Sequence, residues 1–408
     1  MKAILADFSL KKEAWGRMRS RLVRGGPESH GISTDLAEIP EPTFSSPHWV
    51  KVRSIMSGIS AMDEGMLLHH DLSAFGSFLT FPFVPGNENV GIVTEIGRDV
   101  EGLEPGERVI LDPLLSCEPR GIEPQCPACS RGEPSYCSNF AQGIIGPGML
   151  IGGCRDTGGG WGDYFTAHFS QLRPIPQEMD TDHAVLMPEF SRAVKAVLRS
   201  PPGPGDNVVV VGGGASGIMI LLALRMLGHD TRVLVVAEHP FEVDLVRRLT
   251  DSPVVLAHGP GATYEGVAEF VGGQVRYPKA GRITLDGGAD LVYETTGTAD
   301  RIEDAMRFTG EGKRVILTAV NQTSGFDISP LWFKGIHIEG VGISGRESYD
   351  GRMMHVLDIA VDLALKHSLP TAELITHRFG LKDHRQAFAA LASRSTSKAV
   401  KVIFQHVV

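Results

Sequence analysis

The stretch Val208-Val209-Val210-Val211, running directly into Gly212-Gly213-Gly214-Ala215-Ser216-Gly217, constrains this chain more than any other. Four β-branched residues without polar alternation read as a strand buried on both faces, as in parallel sheets. A G-x-G-x-x-G step from such a strand into a helical pattern, here over 215–227, has a physical use. Gly212 permits the tight turn, Gly214 lets backbone N–H groups reach a pyrophosphate, and Gly217 lets helix and strand pack closely. The helix start at Ala215 and Ser216 then faces the phosphates. These five residues are expected to bind a dinucleotide; the alternative is a turn in a phosphate-free α/β domain. The next strand, 232–236, is followed by Ala237-Glu238, and an acid about twenty residues after the last glycine is where ribose hydroxyls are held. Glu238 would repel a 2′-phosphate, which favours NAD(H). Arg247 and Arg248 keep NADP(H) open.

The surrounding text sorts the chain into two kinds of domain. After Pro204-Gly205-Asp206, helical patterns at 240–249 and 298–308 alternate with strands at 253–256, 290–294 and 314–320. Repeated strand–helix units mean a parallel, doubly wound sheet. One helix is expected near 262–271, with a loop after it. The first half reads differently. Residues 50–55 and 90–96 alternate like half-buried strands, and Gly91, Gly97, Gly102 and Gly106 punctuate a strand, a turn and a return strand. From about residue 331 strands return, with helices expected over 352–367 and 383–393 and a last strand over 399–404. The reading is an α/β chain: a β-rich domain over 1–200, a dinucleotide domain over 201–335 inserted into it, and a return segment over 336–408. Glycine, 48 of 408 residues, is near 12%. The average is about 7%, so many tight turns are expected.

Four of the five cysteines form Cys117-x8-Cys126-x2-Cys129-x7-Cys137 in a lobe over about 113–140. A two-residue gap suits two thiolates on one tetrahedral ion, and loops of this length can bring the others round, so one closed structural zinc per chain is expected. The alternative is unpaired buried thiols. Cys154 stands apart as a packed small residue. Lys and Arg total 39 against 48 Asp and Glu, a net charge of −9, which disfavours nucleic acid as a partner. No apolar run reaches the ~18 residues of a membrane span, and Asp7 comes too soon for a signal peptide. A cytoplasmic location is the expectation.

The order of these motifs resembles the medium-chain dehydrogenase/reductase superfamily, the zinc-type alcohol dehydrogenases, over nearly the whole chain. Met1-Lys2-Ala3, the strand and loop over 50–63, Pro85-Gly86-Asn87-Glu88, Pro105-Gly106-Glu107-Arg108-Val109, the lobe cysteines, Gly158-Gly159-Gly160-Trp161-Gly162-Asp163-Tyr164 and the glycine loop all fall in that family's order. The resemblance implies a GroES-like β-rich domain carrying the substrate site and a Rossmann domain binding NAD(P)(H), with a small-molecule substrate between them. It also implies a homodimer or homotetramer, and nicotinamide contacts near Glu294-Thr295-Thr296-Gly297. The family's lobe has shorter spacing before its second cysteine, a departure at Cys117.

The catalytic positions depart further. The family's Gly-Ile-Cys-Gly-Thr-Asp loop reads Gly58-Ile59-Ser60-Ala61-Met62-Asp63, so the cysteine ligand becomes Ser60 and the proton-relay hydroxyl becomes Met62. Its Gly-His-Glu loop reads Gly86-Asn87-Glu88, and its Glu-Pro reads Pro188-Glu189. A neutral serine and an amide are poor zinc ligands, so no catalytic zinc is expected. Ser60, Asp63, Asn87 and Glu88 are the candidate catalytic residues. Glu88 is read either as an acid raised by burial that supplies a proton, with Ser60 as donor or relay, or as a carboxylate hydrogen-bonded by Ser60 or Asn87. Asp63 is read as a loop brace, His69-His70 as surface, and Trp161 and Tyr164 as packing. The leading functional expectation is zinc-independent hydride transfer from NAD(P)H to an activated C=C, imine or carbonyl. One alternative is a secondary alcohol or polyol dehydrogenase with ligands remodelled around Glu88, Glu189 and a nearby histidine. The other is a nucleotide-binding sensor or scaffold without turnover.

Overall fold

Alternation of buried and half-buried residues sets the first part of the chain. The computed structural model describes residues 1–8, 32–67, 76–321, 325 and 327–406, so His69 and His70 lie outside the described residues. The strands here are β1 (Lys2–Phe8), β2 (Ile32–Glu38), β3 (Trp49–Gly58), β4 (Glu88–Ile96), β5 (Arg108–Leu111), β6 (Tyr164–His168) and β7 (Leu172–Pro174). In β3, Trp49, Val50 and Val52 are fully buried while Lys51 and Arg53 are half-buried, which turns one face to a core with Val93, Leu111 and Phe165. Gly91 sits in β4 because a Cβ there would lie 2.3 Å from Val52 Cγ1.

The second part changes to apolar strands separated by helices. It contains β8 (Asn207–Val211), β9 (Arg232–Ala237), β10 (Val254–Leu256), β11 (Gln274–Arg276), β12 (Thr284–Asp286), β13 (Ala289–Glu294), β14 (Thr309–Leu317), β15 (His337–Gly340), β16 (Arg346–Tyr349) and β17 (Arg352–His355). Six of these form one all-parallel sheet in the order β10-β9-β8-β13-β14-β15. In the sheet's own numbering this is 3-2-1-4-5-6, the doubly wound Rossmann arrangement, whose order reverses at the central first strand. β8 is that strand. It pairs with β9 at Val208–Val233 and with β13 at Val208–Leu291, so it has a neighbour on each side, and its valines are fully buried.

The chain returns through β18 (Ile375–Phe379), helix His384–Ala392 and β19 (Lys401–Gln405). β19 pairs with β3, closing a sheet in the order β18-β19-β3-β4-β5-β7, with β6 also on β3. Contacts divide the chain into one unit of Met1–Pro188, Ile375–Ala392 and Lys401–Val408, and another of Glu189–Leu374 and Ser393–Val400. The division therefore falls earlier than residue 200, within helix Thr181–Arg199 at its internal Pro188. It also falls later than 335, because β15 completes the parallel sheet beside β14.

Three local expectations are corrected. Residues 352–355 are a strand, not the start of a helix: Asp350 and Gly351 both have positive φ (48° and 74°) and turn β16 back as β17. Asp-Gly is a strong hairpin signal and outranks four residues of helical spacing; the helix begins at Val356, capped by His355. The loop expected after 271 holds the β11–β12 hairpin. Strand β14 starts at Thr309 rather than 314 and shifts register against β13, with Gly312 at φ 70°.

Gly217 tests the central packing. A Cβ there would sit 1.9 Å from Gly212 O, so Gly217→Ala is expected to cost about 1–3 kcal/mol in denaturant unfolding by overpacking. An unchanged midpoint would show that this contact does not hold.

Candidate functional site

The glycine loop joins β8 to helix Ala215–Met226. Gly212 has φ 113°, and a Cβ on it would meet Thr295 Oγ1 at 2.3 Å. Gly214 differs. It is the N-cap of the helix, and a Cβ there would meet only Glu242 Oε1, at 3.5 Å. Protein packing does not demand glycine at 214, so the space before the helix N-terminus is open, as a phosphate cradle requires. Ser216 donates its hydroxyl to Glu189 Oε1 at 2.6 Å. Both Ser216 and Glu189 are thereby occupied with each other.

Beyond β9, Glu238 holds Arg301 through Oε1 at 3.3 Å, and Arg301 also pairs with Asp304 at 2.6 Å. The backbone N–H groups of Glu238 and His239 donate to Glu242 Oε2 at 2.8 and 3.2 Å. Beyond β13, Glu294 is fully buried and organises the following turn. Thr296 donates to its Oε1 from both N (2.8 Å) and Oγ1 (2.6 Å), and Gly297 N donates to Oε2 at 2.9 Å. Burial pushes the Glu294 carboxyl up to about 7, against those three donors. Thr295 donates its N and Oγ1 to Val211 O at 3.0 and 2.8 Å, which ties this turn to the strand carrying the glycine loop.

In the other unit, the lobe brings Cys117, Cys126, Cys129 and Cys137 together, with all sulfurs within 4.8 Å of one another. The Cys117–Cys137 and Cys126–Cys137 sulfur separations are 3.6 and 3.9 Å, close to the edge of about 3.8 Å that four thiolates at 2.3 Å from one ion would make. Asn139 Nδ2 and Cys126 N donate to Cys117 Sγ, and Asn139 N to Cys137 Sγ. Burial raises the Cys126 thiol, but the N–H groups of Cys129 and Ser138 outweigh it and bring it down to about 5. Burial leads at Cys137 and pushes it up to about 11. These four residues fit a tetrahedral metal ion, Cys117 included. Cys154 is buried and apart, its Sγ against Gly146 O.

The loop that ends β3 and opens helix Ala61–Leu67 is a reciprocal cap. Ser60 Oγ accepts from Asp63 N at 3.1 Å, and Asp63 Oδ2 accepts from Ser60 N at 3.0 Å, which is a capping box with aspartate in the third helical position. Ser60 Oγ also donates to Asp63 Oδ2 at 2.7 Å. Asn87 Nδ2 completes the group, donating to Ser60 Oγ at 2.9 Å and to Asp63 Oδ2 at 3.2 Å. Ser60, Asp63 and Asn87 are each at most 1% exposed, and Asp63 Oδ1 has no hydrogen-bond partner. Burial pushes the Asp63 carboxyl up to about 6, against its bonds to Ser60.

Glu88 does not join this group. Its Oε2 meets Lys401 Nζ at 2.5 Å, with both side chains buried. The sequence reading of Glu88 as an acid, or as a carboxylate bonded by Ser60 or Asn87, did not foresee this lysine partner. Among the described residues, the cysteine quartet is the one group of three or more Cys, His, Asp or Glu donors drawn together. The donors present near Ser60 do not fit a zinc ion: one hydroxyl and one amide are bonded to the same carboxylate, and the glutamate is paired. Trp161 is fully buried against Phe388 and Phe404, as packing.

Residues 46–177 match the alcohol dehydrogenase GroES-like domain family. The chain is 27% identical to an L-threonine 3-dehydrogenase of Rhizobium johnstonii over 387 residues, covering 94% of this chain and 98% of that protein. It is 25% identical to D-arabinitol dehydrogenase 1 of Uromyces fabae, covering 86% and 89%. A solved alcohol dehydrogenase of Escherichia coli CFT073 in complex with NADH superposes with a TM-score of 0.71 at 20% identity, over 100% of this chain and 99% of that one. The GroES-like match and these relatives support the medium-chain dehydrogenase/reductase superfamily for this chain. The relatives support an NAD(P)-dependent oxidoreductase of the zinc-type alcohol and polyol dehydrogenase group, and they are themselves named for small-molecule substrates.

Sequence reasoning missed Lys401, Arg301, Glu242 and the role of Glu294. Lys401 had one visible signal: a charge opening the otherwise apolar strand Lys-Val-Ile-Phe. Removing it takes the buried cation away from Glu88, so Lys401→Met is expected to cost about 3–5 kcal/mol in equilibrium unfolding, partly restored by adding Glu88→Met. A loss below about 1 kcal/mol would mean that the pair does not form.

Proposed function

We propose that the protein transfers hydride between NAD(H) and an activated small molecule without a metal at the Ser60–Asn87 position. One observation carries this reading: the groups standing where the family places its zinc ligands are bonded to Asp63 and to each other. An already polarised substrate, such as an enone or an iminium, needs no Lewis acid. A dinucleotide bound at the glycine loop supplies the hydride. The residues Gly214, Ala215 and Ser216 receive its pyrophosphate on open backbone N–H groups, Gly212 and Gly217 keep the loop tight beneath it, and Glu238 accepts from the ribose hydroxyls. The Glu294-held turn at Thr295 and Thr296 offers backbone contacts to the nicotinamide end. Cys117, Cys126, Cys129 and Cys137 hold one structural zinc.

The accompanying proton is assigned to the Ser60–Asp63 pair. Asp63 titrates near 6 and has a free Oδ1, so its acid form can resupply Ser60 Oγ when that hydroxyl gives its proton to the reduced substrate. For an enone, hydride adds to the β carbon, the C=C electrons move to the α carbon and oxygen, and the proton from Ser60 completes the saturated ketone. Asn87 positions the hydroxyl.

The relatives named for threonine and arabinitol oxidation favour a second reading, oxidation of a secondary alcohol or polyol. It would need ligands from Glu88 and Glu189, which are engaged by Lys401 and Ser216. A homo-oligomer is part of the proposal. Trp332 (88% exposed) and Phe333 stand in the segment leading to β15, the edge of the parallel sheet. A cytoplasmic location is also part of the proposal.

The pH profile tests the proton assignment. Because the acid form is required, reduction is expected to fall about tenfold per unit above pH 6, to flatten in Asp63→Asn, and to drop at least tenfold in Ser60→Ala with NADH affinity unchanged. Full turnover in both variants would reject the pair as donor. The same assay should give a lower KM for NADH than for NADPH, with the preference weakened in Glu238→Ser.

A further inference from the structure

A cation stands beside the carboxylate that would hold the adenosine ribose. Glu238 follows β9, and Arg301 sits in the first turn of helix Ala299–Phe308, which follows β13. Strand β8 lies between β9 and β13, so the pair of Arg301 Nε and Glu238 Oε1, at 3.3 Å, joins the two sides of the point where the strand order reverses. Ligands of doubly wound sheets bind at that point, outside the carboxyl ends of the strands. Arg247 and Arg248 do not share this place. They stand in the last turn of helix Pro240–Leu249, about 10 Å along its axis from the start beside Glu238.

Three observations give Arg301 its task. Glu238 is held at both ends: its backbone N–H donates to Glu242 Oε2 at 2.8 Å, and its carboxylate has Arg301. That carboxylate keeps its capacity. Among the described residues Arg301 is its one ion-pair partner and no hydrogen bond to it is made, so its acceptor sites, about four, stay available to hydroxyl donors. Arg301 is itself anchored. Its Nη1 donates to Asp304 Oδ2 at 2.6 Å, and Asp304 Oδ1 takes the hydroxyl of the buried Tyr264 at 2.9 Å. Two carboxylates answer the one guanidinium, which makes the group a poor place for a 2′-phosphate and a good one for hydroxyls.

We infer that Arg301 is a positioning residue for the cofactor: it fixes the Glu238 carboxylate to accept from the adenosine ribose hydroxyls, and so sets the selection of NAD(H) over NADP(H). The inference rests on the proposed binding of NAD(H) at the glycine loop. A free glutamate side chain turns about several bonds, and holding it before the ligand arrives removes an ordering cost from binding.

Fluorescence titration of the full-length protein with NADH and NADPH, in Arg301→Ala, Glu238→Ala and the double variant, tests it. Arg301→Ala is expected to weaken NADH binding about three- to tenfold, the cost of ordering one long side chain, without improving NADPH binding. Arg301→Lys should recover part of the loss. In the Glu238→Ala background, Arg301→Ala should change NADH affinity by less than about twofold, because the brace has nothing left to hold; a general destabilisation would weaken binding in both backgrounds alike. Equal losses in the two backgrounds would overturn the inference. So would Arg301→Ala protein that binds NADH like the native chain, or one that loses affinity for NADPH alone, the mark of a direct 2′-phosphate contact. Native protein that binds no NADH, or Glu238→Ala protein that binds it unchanged, would instead reject the ribose reading itself, and the inference with it.

Discussion

The carboxylate of Asp63 is closed off from water, and the segment around it is arranged to answer that one buried charge. Ser60 supplies two donors to it, Asn87 supplies a third, and the helix that begins at Ala61 starts where it does because the two side chains cap each other's backbone. An uncompensated carboxylate there would be costly, so the hydroxyl and the amide are committed before any ligand arrives. Replacing a thiolate and an imidazole by a serine and an asparagine therefore does more than remove ligands. It creates a hydrogen-bonded group in which neither side chain is free to bind an ion. The neighbouring Glu88 is taken out of play by a different route, through Lys401.

The second unit depends on sterics rather than charge. Gly212 and Gly217 are needed by the protein itself, since a side chain on either would collide with Thr295 or with the loop's own carbonyl. Gly214 is needed by the ligand, because nothing in the protein lies close to where its side chain would be. That contrast separates a loop shaped by packing from one shaped for a phosphate. Thr295 then ties the turn after β13 to the strand that carries the loop, and Glu294 holds that turn together through Thr296 and Gly297.

Much of this was legible in the chain. The valine run and its glycines announced the central strand, the loop and the parallel sheet, and the cysteine spacing announced the sulfur cluster. What could not be read is long-range. Lys401 meets Glu88 across 313 positions, and no local pattern says which buried acid a distant lysine will find. Arg301 reaches Glu238 from a helix whose own periodicity accounts for it fully as a surface residue. The hairpin at Asp350-Gly351 was readable and was outweighed by helical spacing on its far side. The capping box was also written in Ser60-x-x-Asp63, where Asp63 reads as a brace of the loop.

The central claim is that the chain holds one zinc ion, in the lobe, and none beside Ser60. Metal analysis of purified protein, paired with Cys126→Ser/Cys129→Ser, tests it most directly. One zinc per chain in the native protein, falling to none in the double variant, is the predicted result. Two per chain, or one retained after the lobe cysteines are removed, would contradict it.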